Sequence, residues 1–195
     1  MTMRVLGLDP GTATFGWGVV ETGGARPSHV DHGVLRTAAT LSLGARLRSL
    51  RDDLELLIRA HRPDRIAIER IFSQSNVQSA VAIGAARGVA LLVAADHTIE
   101  VVEATPSEMK RAIAGDGRAT KAAVTKSITK LLALSAAPTP DDAADALALA
   151  LWGAGARRAE LRAGSSRLDR SASAAVAAES GFDRAVRAAL RAGRS

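Results

Sequence analysis

Four acidic residues stand where a charge is costly unless it faces solvent or a cation. Asp9 ends the apolar run RVLGLD, and Glu69 ends the run RIAIE. Asp142 and Asp145 are three residues apart, so on a helix they face the same way. Gathered in one place, these carboxylates would bind a hard cation such as Mg²⁺ or Mn²⁺, and two such ions can support hydrolysis of a phosphodiester. The set predicts a site for metal-dependent phosphodiester chemistry.

Simpler roles for the same acids remain open at this point. Asp141 and Asp142 follow Pro140, and aspartate is a common helix cap. Glu69 could pair with Arg65 or Arg70 at the ends of its strand. Whether the metal site or one of these simpler roles applies depends on whether the four acids lie close together in the folded chain.

Basic residues are concentrated between residues 107 and 130. Six cations stand there against two acids, and they are Lys110, Arg111, Arg118, Lys121, Lys126 and Lys130. A local surplus of this kind neutralises phosphates, and Gly115 and Gly117 would let backbone approach a strand. A solvated helix face is the alternative. The charge pattern does not decide between the two, and it leaves Lys110, Arg111, Arg118 and Lys121 as candidates for contact with a nucleic acid.

The elements that would position these residues alternate between strands and helices. Pro and Gly turns separate five predicted strands, which are Arg4–Asp9, Phe15–Glu21, Val30–Arg36, Arg65–Glu69 and Thr98–Val102. Helices are predicted at Leu43–Ala60, Val77–Ala94, a short segment from Pro106, Thr120–Leu134 and Asp141–Trp152. The order predicts an α/β fold with a mixed five-stranded sheet flanked by helices.

Size and composition limit the class of protein. The chain has 195 residues and no cysteine, which excludes thiolate metal sites and thiol nucleophiles. Its apolar runs, such as Gly88–Ala95, are short for a bilayer span, so we expect no membrane association and a cytoplasmic location. Residues 157–195 carry nine Arg and four acids, most of the net charge of +6. We expect a domain over residues 1–156 and a basic, mobile tail over 157–195.

Four separated blocks of sequence resemble the RuvC family of Holliday junction resolvases. They are LGLDPGTATFGWGVV, IAIERIF, SNVQSAVAIGAARGVALL with SEMKRAIAGDGRATKAAV, and PDDAADALALA, in the family's order. The resemblance covers about residues 3–155. It implies a ribonuclease H-like fold, a homodimer with two Mg²⁺ or Mn²⁺ ions per site, and work with RuvA and RuvB. It also implies paired nicks in four-way DNA junctions that leave 5′-phosphate and 3′-hydroxyl ends, in recombination and DNA repair.

The same resemblance implies roles for individual residues. The family's catalytic, metal-binding carboxylates correspond to Asp9, Glu69, Asp142 and Asp145. The aromatic wedge that enters the opened junction corresponds to Phe72, for which a core position is the alternative. The family's DNA-contacting lysines correspond to Lys110 and Lys121. Arg70 departs from the family, which often has glutamine there.

The sequence leaves two alternative functions and one further motif to consider. Asp9-Pro10-Gly11-Thr12 also resembles the phosphate loop of actin-like sugar kinases and chaperone ATPases, but those need a second, duplicated domain. A protein that binds junctions without cutting them would not need the acids. Gly84 and Gly88 form a GxxxG pattern on an apolar helix, which fits packing on the sheet or a dimer contact equally well.

Overall fold

The computed structural model describes residues 2–24, 26–70 and 77–163. One compact unit, Met1–Ala156, contains all five strands of the described chain and its first four helices. The strands are β1 (Met3–Asp9), β2 (Thr14–Thr22), β3 (Ser28–Arg36), β4 (Arg65–Glu69) and β5 (Glu100–Ala104). The helices are α1 (Leu43–His61), α2 (Val77–Asp96), α3 (Pro106–Ala114), α4 (Lys121–Leu131) and α5 (Asp141–Ala163).

The sheet is mixed, as the sequence predicts. Its order is β3-β2-β1-β4-β5. The first three strands form an antiparallel meander because short turns join them, while β4 and β5 run parallel to β1 because helices connect them. The carboxyl ends of β1, β4 and β5 therefore lie at one edge of the sheet.

Each face of the sheet has its own hydrophobic core. Val5 and Ala67 pack with residues of α3, α4 and α5 on one face. Leu6 and Ile66 pack with α1 and α2 on the other face. Side chains alternate along a strand, so Asp9 and Glu69 belong to the same face as Val5 and Ala67. Strand alternation thus directs both acids toward α5.

Helix α5 lies unusually close to the middle of the sheet. A Cβ added at Gly7 would collide with the backbone oxygen of Ala146, and one at Gly16 would collide with that of Asp142. Only glycine permits this separation at these two positions. The close approach places the first turns of α5 directly against the ends of β1 and β2.

Several predicted boundaries differ from the observed ones, and three of them are informative. The strand predicted at Thr98–Val102 begins at Glu100, because Thr98 adopts a left-handed conformation (φ 55°) in the turn that ends α2. Thr98 and Ile99 donate backbone hydrogen bonds to the last turn of that helix. Helix α4 ends at Leu131, three residues before the predicted end, and α5 continues past the predicted Trp152 to Ala163.

Helix α2 has an apolar composition that needs explanation. Among the described residues, it is the one helix whose length and hydropathy would allow a membrane span, over Ser79–Asp96. Core helices of globular proteins pass the same test, and Ala86, Ala90 and Val93 are buried in the core shared with α1 and the sheet. The opposite side of α2 is exposed at Val81 and Leu92.

Candidate active site

Asp9 and Glu69 are the last residues of adjacent parallel strands. The register pairs Leu8 with Ile68, so the two acids follow side by side at the carboxyl edge of the sheet. Each side chain is half-buried and points toward α5. The order of the strands therefore produces the first half of the predicted cluster.

Helix α5 supplies the other two acids. Asp142 lies in its first turn and Asp145 one turn later, on the same side of the helix. The approach of α5 to Gly16 brings Asp142 toward β1, and the helix N-terminus lowers the cost of gathering negative charge there. Asp141 is more exposed than its two neighbours in the cluster.

The acids act on one another electrostatically. The pKa of Asp9 is raised to about 7 by burial and then by the charges of Asp145, Glu69 and Asp142, while Lys121 lowers it. Burial also raises the pKa of Glu69, with Asp145 adding to the effect and Lys121 and Lys110 opposing it. These influences place Asp9 within electrostatic reach of the other three carboxylates. They support the predicted cluster.

Lys121 partly neutralises the cluster. Its Nζ donates to Oδ2 of Asp145 at 2.9 Å, and the pairing raises the pKa of the lysine. The nearest cation along the sequence from Asp145 is Arg157, so this partner comes from a different element, α4. An ammonium group thus occupies one edge of the acidic cluster.

The alternative partners of Glu69 are engaged elsewhere. Arg65 binds Glu100 and the carbonyl of Gly153. Arg70 forms an ion pair with Glu103 at 3.6 Å. No cation lies within 4.0 Å of Glu69 in the described part of the chain. The ion-pair interpretation of Glu69 therefore does not apply to these residues.

The described residues do not support a helix-capping role for Asp142 either. Residues 143 and 144 donate their amides to the carbonyl of Pro140. Within the described residues, no amide donates to the side chain of Asp141 or Asp142. Capping does not account for either carboxylate in this part of the chain.

The donor set suits a hard divalent cation. Only carboxylate oxygens meet at the site, and Mg²⁺ and Mn²⁺ prefer such ligands. Among the residues described, no three acids or histidines yet enclose a position that a cation could fill. The ammonium of Lys121 bound to Asp145 supplies positive charge there instead. A cation that displaced this ammonium would find unpaired carboxylates on both strand ends.

Two of the four predicted basic residues, Lys110 and Lys121, lie near these acids. Lys110 is near enough to Glu69 to lower its pKa, and Lys121 contacts Asp145. Arg111 is exposed at the end of α3, and Arg118 is exposed in the α3–α4 loop, where its amide donates to Asp116. Phe72 falls outside the described residues.

Cavities flank the acidic cluster on two sides. A groove of about 910 Å³ along α4 reaches Lys121 and Asp145. A second cavity, of about 450 Å³, lies between the loop at Gly11–Thr14 and Ile83 and reaches Asp142. An extended polymer could therefore cross the acids from one cavity to the other.

Sequence reasoning missed three charged contacts near or behind the site. They are the Lys121–Asp145 pair, the buried Arg65 with its partners, and Glu103, which binds both Arg70 and Arg87. A signal existed for Arg65, because an arginine that opens an apolar strand must find buried partners. The other two depend on how separate elements pack, which residue spacing does not encode.

The architecture is the ribonuclease H-like α/β fold, with acids at the ends of the first and fourth strands and on the final core helix. A family model described as "Crossover junction endodeoxyribonuclease RuvC" matches residues 5–152. The chain belongs to the RuvC family, whose members are divalent-metal-dependent nucleases.

Individual relatives give the extent of the similarity. The RuvC protein of Rhodococcus jostii is 51% identical over 152 residues, covering 76% of this chain and 79% of the relative. That of Heliobacterium modesticaldum is 44% identical over 162 residues, covering 80% of this chain and the relative's full length. The structure of Thermus thermophilus RuvC in complex with a Holliday junction substrate aligns with a TM-score of 0.77 and 32% identity, covering 80% and 96% of the two chains.

Proposed function

We propose that this member of the RuvC family resolves Holliday junctions by paired nicks in DNA, in homologous recombination and repair. The observation that carries the proposal is Asp9 beside three further carboxylates, with its pKa raised to about 7 by burial and then by their charges. Sites that hydrolyse phosphodiesters with metal ions need such a cluster at an accessible surface. The flanking grooves give DNA that access.

We further propose that Asp9, Glu69, Asp142 and Asp145 hold two divalent ions, Mg²⁺ or Mn²⁺. When bound, the ions lower the pKa of an attacking water and neutralise charge on the scissile phosphate. The chain's part is to keep the carboxylates fixed on rigid elements, since strand ends and a helix move less than loops. Hydrolysis by water leaves 5′-phosphate and 3′-hydroxyl ends with no covalent intermediate.

Lys121 has two positions in this proposal. It rests on Asp145 at 2.9 Å, and its side chain is 69% exposed, so it can swing toward solvent without disturbing the core. Where Asp145 held a metal ion, the ammonium of Lys121 would be released to contact a DNA phosphate. Lys110, Arg111 and Arg118 would contribute further phosphate contacts, which position the strand and carry no base sequence.

Phe72 is proposed as the wedge of the opened junction. It follows the catalytic Glu69 by three residues, in the connection between β4 and α2. An apolar ring can replace the stacking that is lost where base pairs open. The substitution Phe72→Ala should then reduce cleavage more than binding, whereas a core residue would reduce both together.

A homodimer follows from the exposed side of α2. Gly84 and Gly88 have open space where a Cβ would stand, so packing on the described sheet does not explain their GxxxG pattern. Val81 and Leu92 continue the same stripe at helical spacing and are 62% and 56% exposed. Two such helices can approach closely at glycines. A two-fold dimer also suits the symmetric pair of cuts that a four-way junction needs.

The remaining features of the proposal come from the resemblance to the family. We place the catalytic domain at residues 1–156, which contain the matched range 5–152, and treat 157–195 as a basic tail, of which residues 164–195 lie outside the described residues. RuvA and RuvB are the proposed protein partners, and the cytoplasm is the proposed location. Deleting residues 157–195 should lower the salt dependence of DNA binding if this basic segment contacts DNA.

The test is incubation of the full chain with a synthetic four-way junction, with and without Mg²⁺, and mapping of nicks on all four strands. We expect symmetric nicks in two opposed strands, only with the metal, and none with Asp9→Asn, which should still bind the junction. Metal-independent binding without nicks would identify a junction-binding protein instead. Phosphate transfer from ATP would favour the kinase-like alternative.

A further inference from the structure

A single groove follows the length of helix α4. It has a volume of about 910 Å³, and all three lysines of the helix line it, namely Lys121, Lys126 and Lys130. Its acidic lining residues, Asp141 and Asp145, lie at the end near the candidate active site. The other end of the groove is bordered by lysine and by the loop after α4. The groove therefore becomes more positive with distance from the carboxylates.

Two smaller cavities extend this groove to the β2–β3 connection. One, of about 410 Å³, shares Lys130 with the groove and adds Arg26 and Pro27. The other, of about 550 Å³, shares Leu134 with the groove and also contains Arg26 and Pro27. The shared residues make the three cavities neighbours, in a series that begins at Asp145 and ends at Arg26.

The cations along this series of cavities are free to take an anionic ligand. Arg26, Lys126 and Lys130 are exposed, and none of them pairs with a described acid. The hydroxyls of Thr125 and Thr129 donate to backbone carbonyls of α4, so the lysines are the donors that α4 offers to the groove. Lys126 and Lys130 are one turn apart and face the same way, with a rise of about 6 Å along the helix axis. That rise is comparable with the spacing of successive phosphates on one nucleic acid strand.

We propose that this groove binds the sugar–phosphate backbone of a junction arm as the arm leaves the cleavage site. The inference rests on the proposed function and adds a specific surface to it. The chain's own residues 157–195 are a poor occupant, because nine arginines against four acids give them the same sign as the groove. An arm of DNA has the opposite charge and the length to reach Arg26.

The location of the groove fits an outgoing arm. Helix α4 packs through Val124 and Ile128 in the core shared with α5, whereas α2 packs through Ala86 and Ala90 on the opposite face of the sheet. The proposed dimer contact on α2 therefore does not cover the groove. A strand that crosses the acids can follow α4 away from the two-fold axis and the crossover.

The experiment compares Lys126→Gln/Lys130→Gln with the wild-type full chain on a synthetic four-way junction in EDTA, at several salt concentrations. The matched control is Arg48→Gln/Arg51→Gln, which removes two exposed cations from α1 on the opposite face. We expect the α4 variant to reduce the slope of log affinity against log salt by about 2 per protomer, and the control to leave it unchanged. Arg26→Gln should reduce the slope by about 1.

Arm length supplies a second measurement. Shortening all four arms stepwise should abolish the effect of Arg26→Gln first and that of the lysine substitutions last. Thermal unfolding of each variant confirms that these exposed substitutions leave the fold intact.

The outcomes separate this inference from the proposed function. If the wild type cleaves the junction and the α4 variant matches the control in slope, the groove does not bind DNA, whether it is empty or takes an acidic protein, and the nuclease assignment survives. If the wild type neither binds nor cleaves a junction, both proposals fail.

Discussion

Strand β4 carries a charged side chain at each end of the same face, and the two ends differ in how that charge is satisfied. Arg65, at the start, is 2% exposed and donates to Glu100 at 2.8 and 3.0 Å and to the carbonyl of Gly153 at 2.9 Å. Glu69, at the other end, has no close cation among the described residues and faces Asp145.

The contrast indicates that the charge of Arg65 stabilises the fold, whereas the charge of Glu69 serves the reaction. Arg65 ties β4 to β5 and to α5, so its cost of burial is offset inside the protein. Glu69 is half-buried and is repelled by Asp145, and Lys110 and Lys121 only partly offset this cost. Residues held at such a cost point to function.

The largest predicted effect is the loss of cleavage when Glu69 is substituted. Glu69→Gln keeps the shape of the side chain and removes its charge, so cleavage of a junction should fall by roughly 10²–10³-fold or more, with folding intact. The measurement is single-turnover nicking beside thermal unfolding. Glu100→Gln, the same change next to Arg65, is the control. Equal nicking by both variants would contradict the claim that Glu69 takes part in the reaction while the ion pair of Arg65 and Glu100 stabilises the fold.

Substitution of Arg65, at the other end of β4, should lower stability and leave nicking unchanged. Arg65→Met leaves the Gly153 carbonyl without its donor and breaks the ion pair, which should lower the free energy of unfolding by about 2–4 kcal/mol. Nicking per folded molecule should stay near wild type. Chemical denaturation measures the first and active-site-normalised rates the second. A variant of normal stability and impaired nicking would place Arg65 in the reaction instead.

A smaller, pH-dependent effect follows from the raised pKa of Asp9. The folded pKa of about 7 lies above the ordinary value of 3.8, so in metal-free protein this group's contribution to stability is present at low pH and is lost as pH rises toward 7. Asp9→Asn should therefore be more stable than wild type at pH 8, and the difference should shrink by at most about 1.4 kcal/mol per pH unit down to pH 4.

Unfolding titrations in EDTA across this pH range measure that difference. Asp96→Asn, an exposed acid at the end of α2, serves as the control and should show no such trend. A stability difference that does not vary with pH would mean that Asp9 is not destabilised by its neighbours.

The smallest effect compares the two arginines that flank β4. Arg70 is 52% exposed and pairs with Glu103 at 3.6 Å, so Arg70→Gln should change the free energy of unfolding by less than about 1 kcal/mol. Thermal unfolding beside Arg65→Met checks the ranking. A loss as large as that of Arg65→Met would show that exposure does not distinguish the two ends of the strand.

The sequence predicts most of the fold because its signals are local. Turn residues and apolar runs identify all five strands, and the alternation of side chains already directs Asp9 and Glu69 to one face. The boundary of β5 was wrong because the turn after α2 takes up Thr98, a β-branched residue that propensity assigns to a strand. The hydrogen bonds of that turn decided the position.

The candidate site was predictable as a list of acids, and its convergence was not. Spacing gives Asp142 and Asp145 a common helix face, but only the packing of α5 against Gly7 and Gly16 brings that face to the strand ends. The contact between Lys121 and Asp145 spans 24 residues and two helices, so no local pattern encodes it.

The most direct test of the central claim is crystallography of the protein soaked in Mn²⁺, with anomalous scattering to locate the ions. We predict peaks among Asp9, Glu69, Asp142 and Asp145, with the ammonium of Lys121 moved away from Asp145. Lys121 still on Asp145, and Mn²⁺ found only at other positions, would contradict the account.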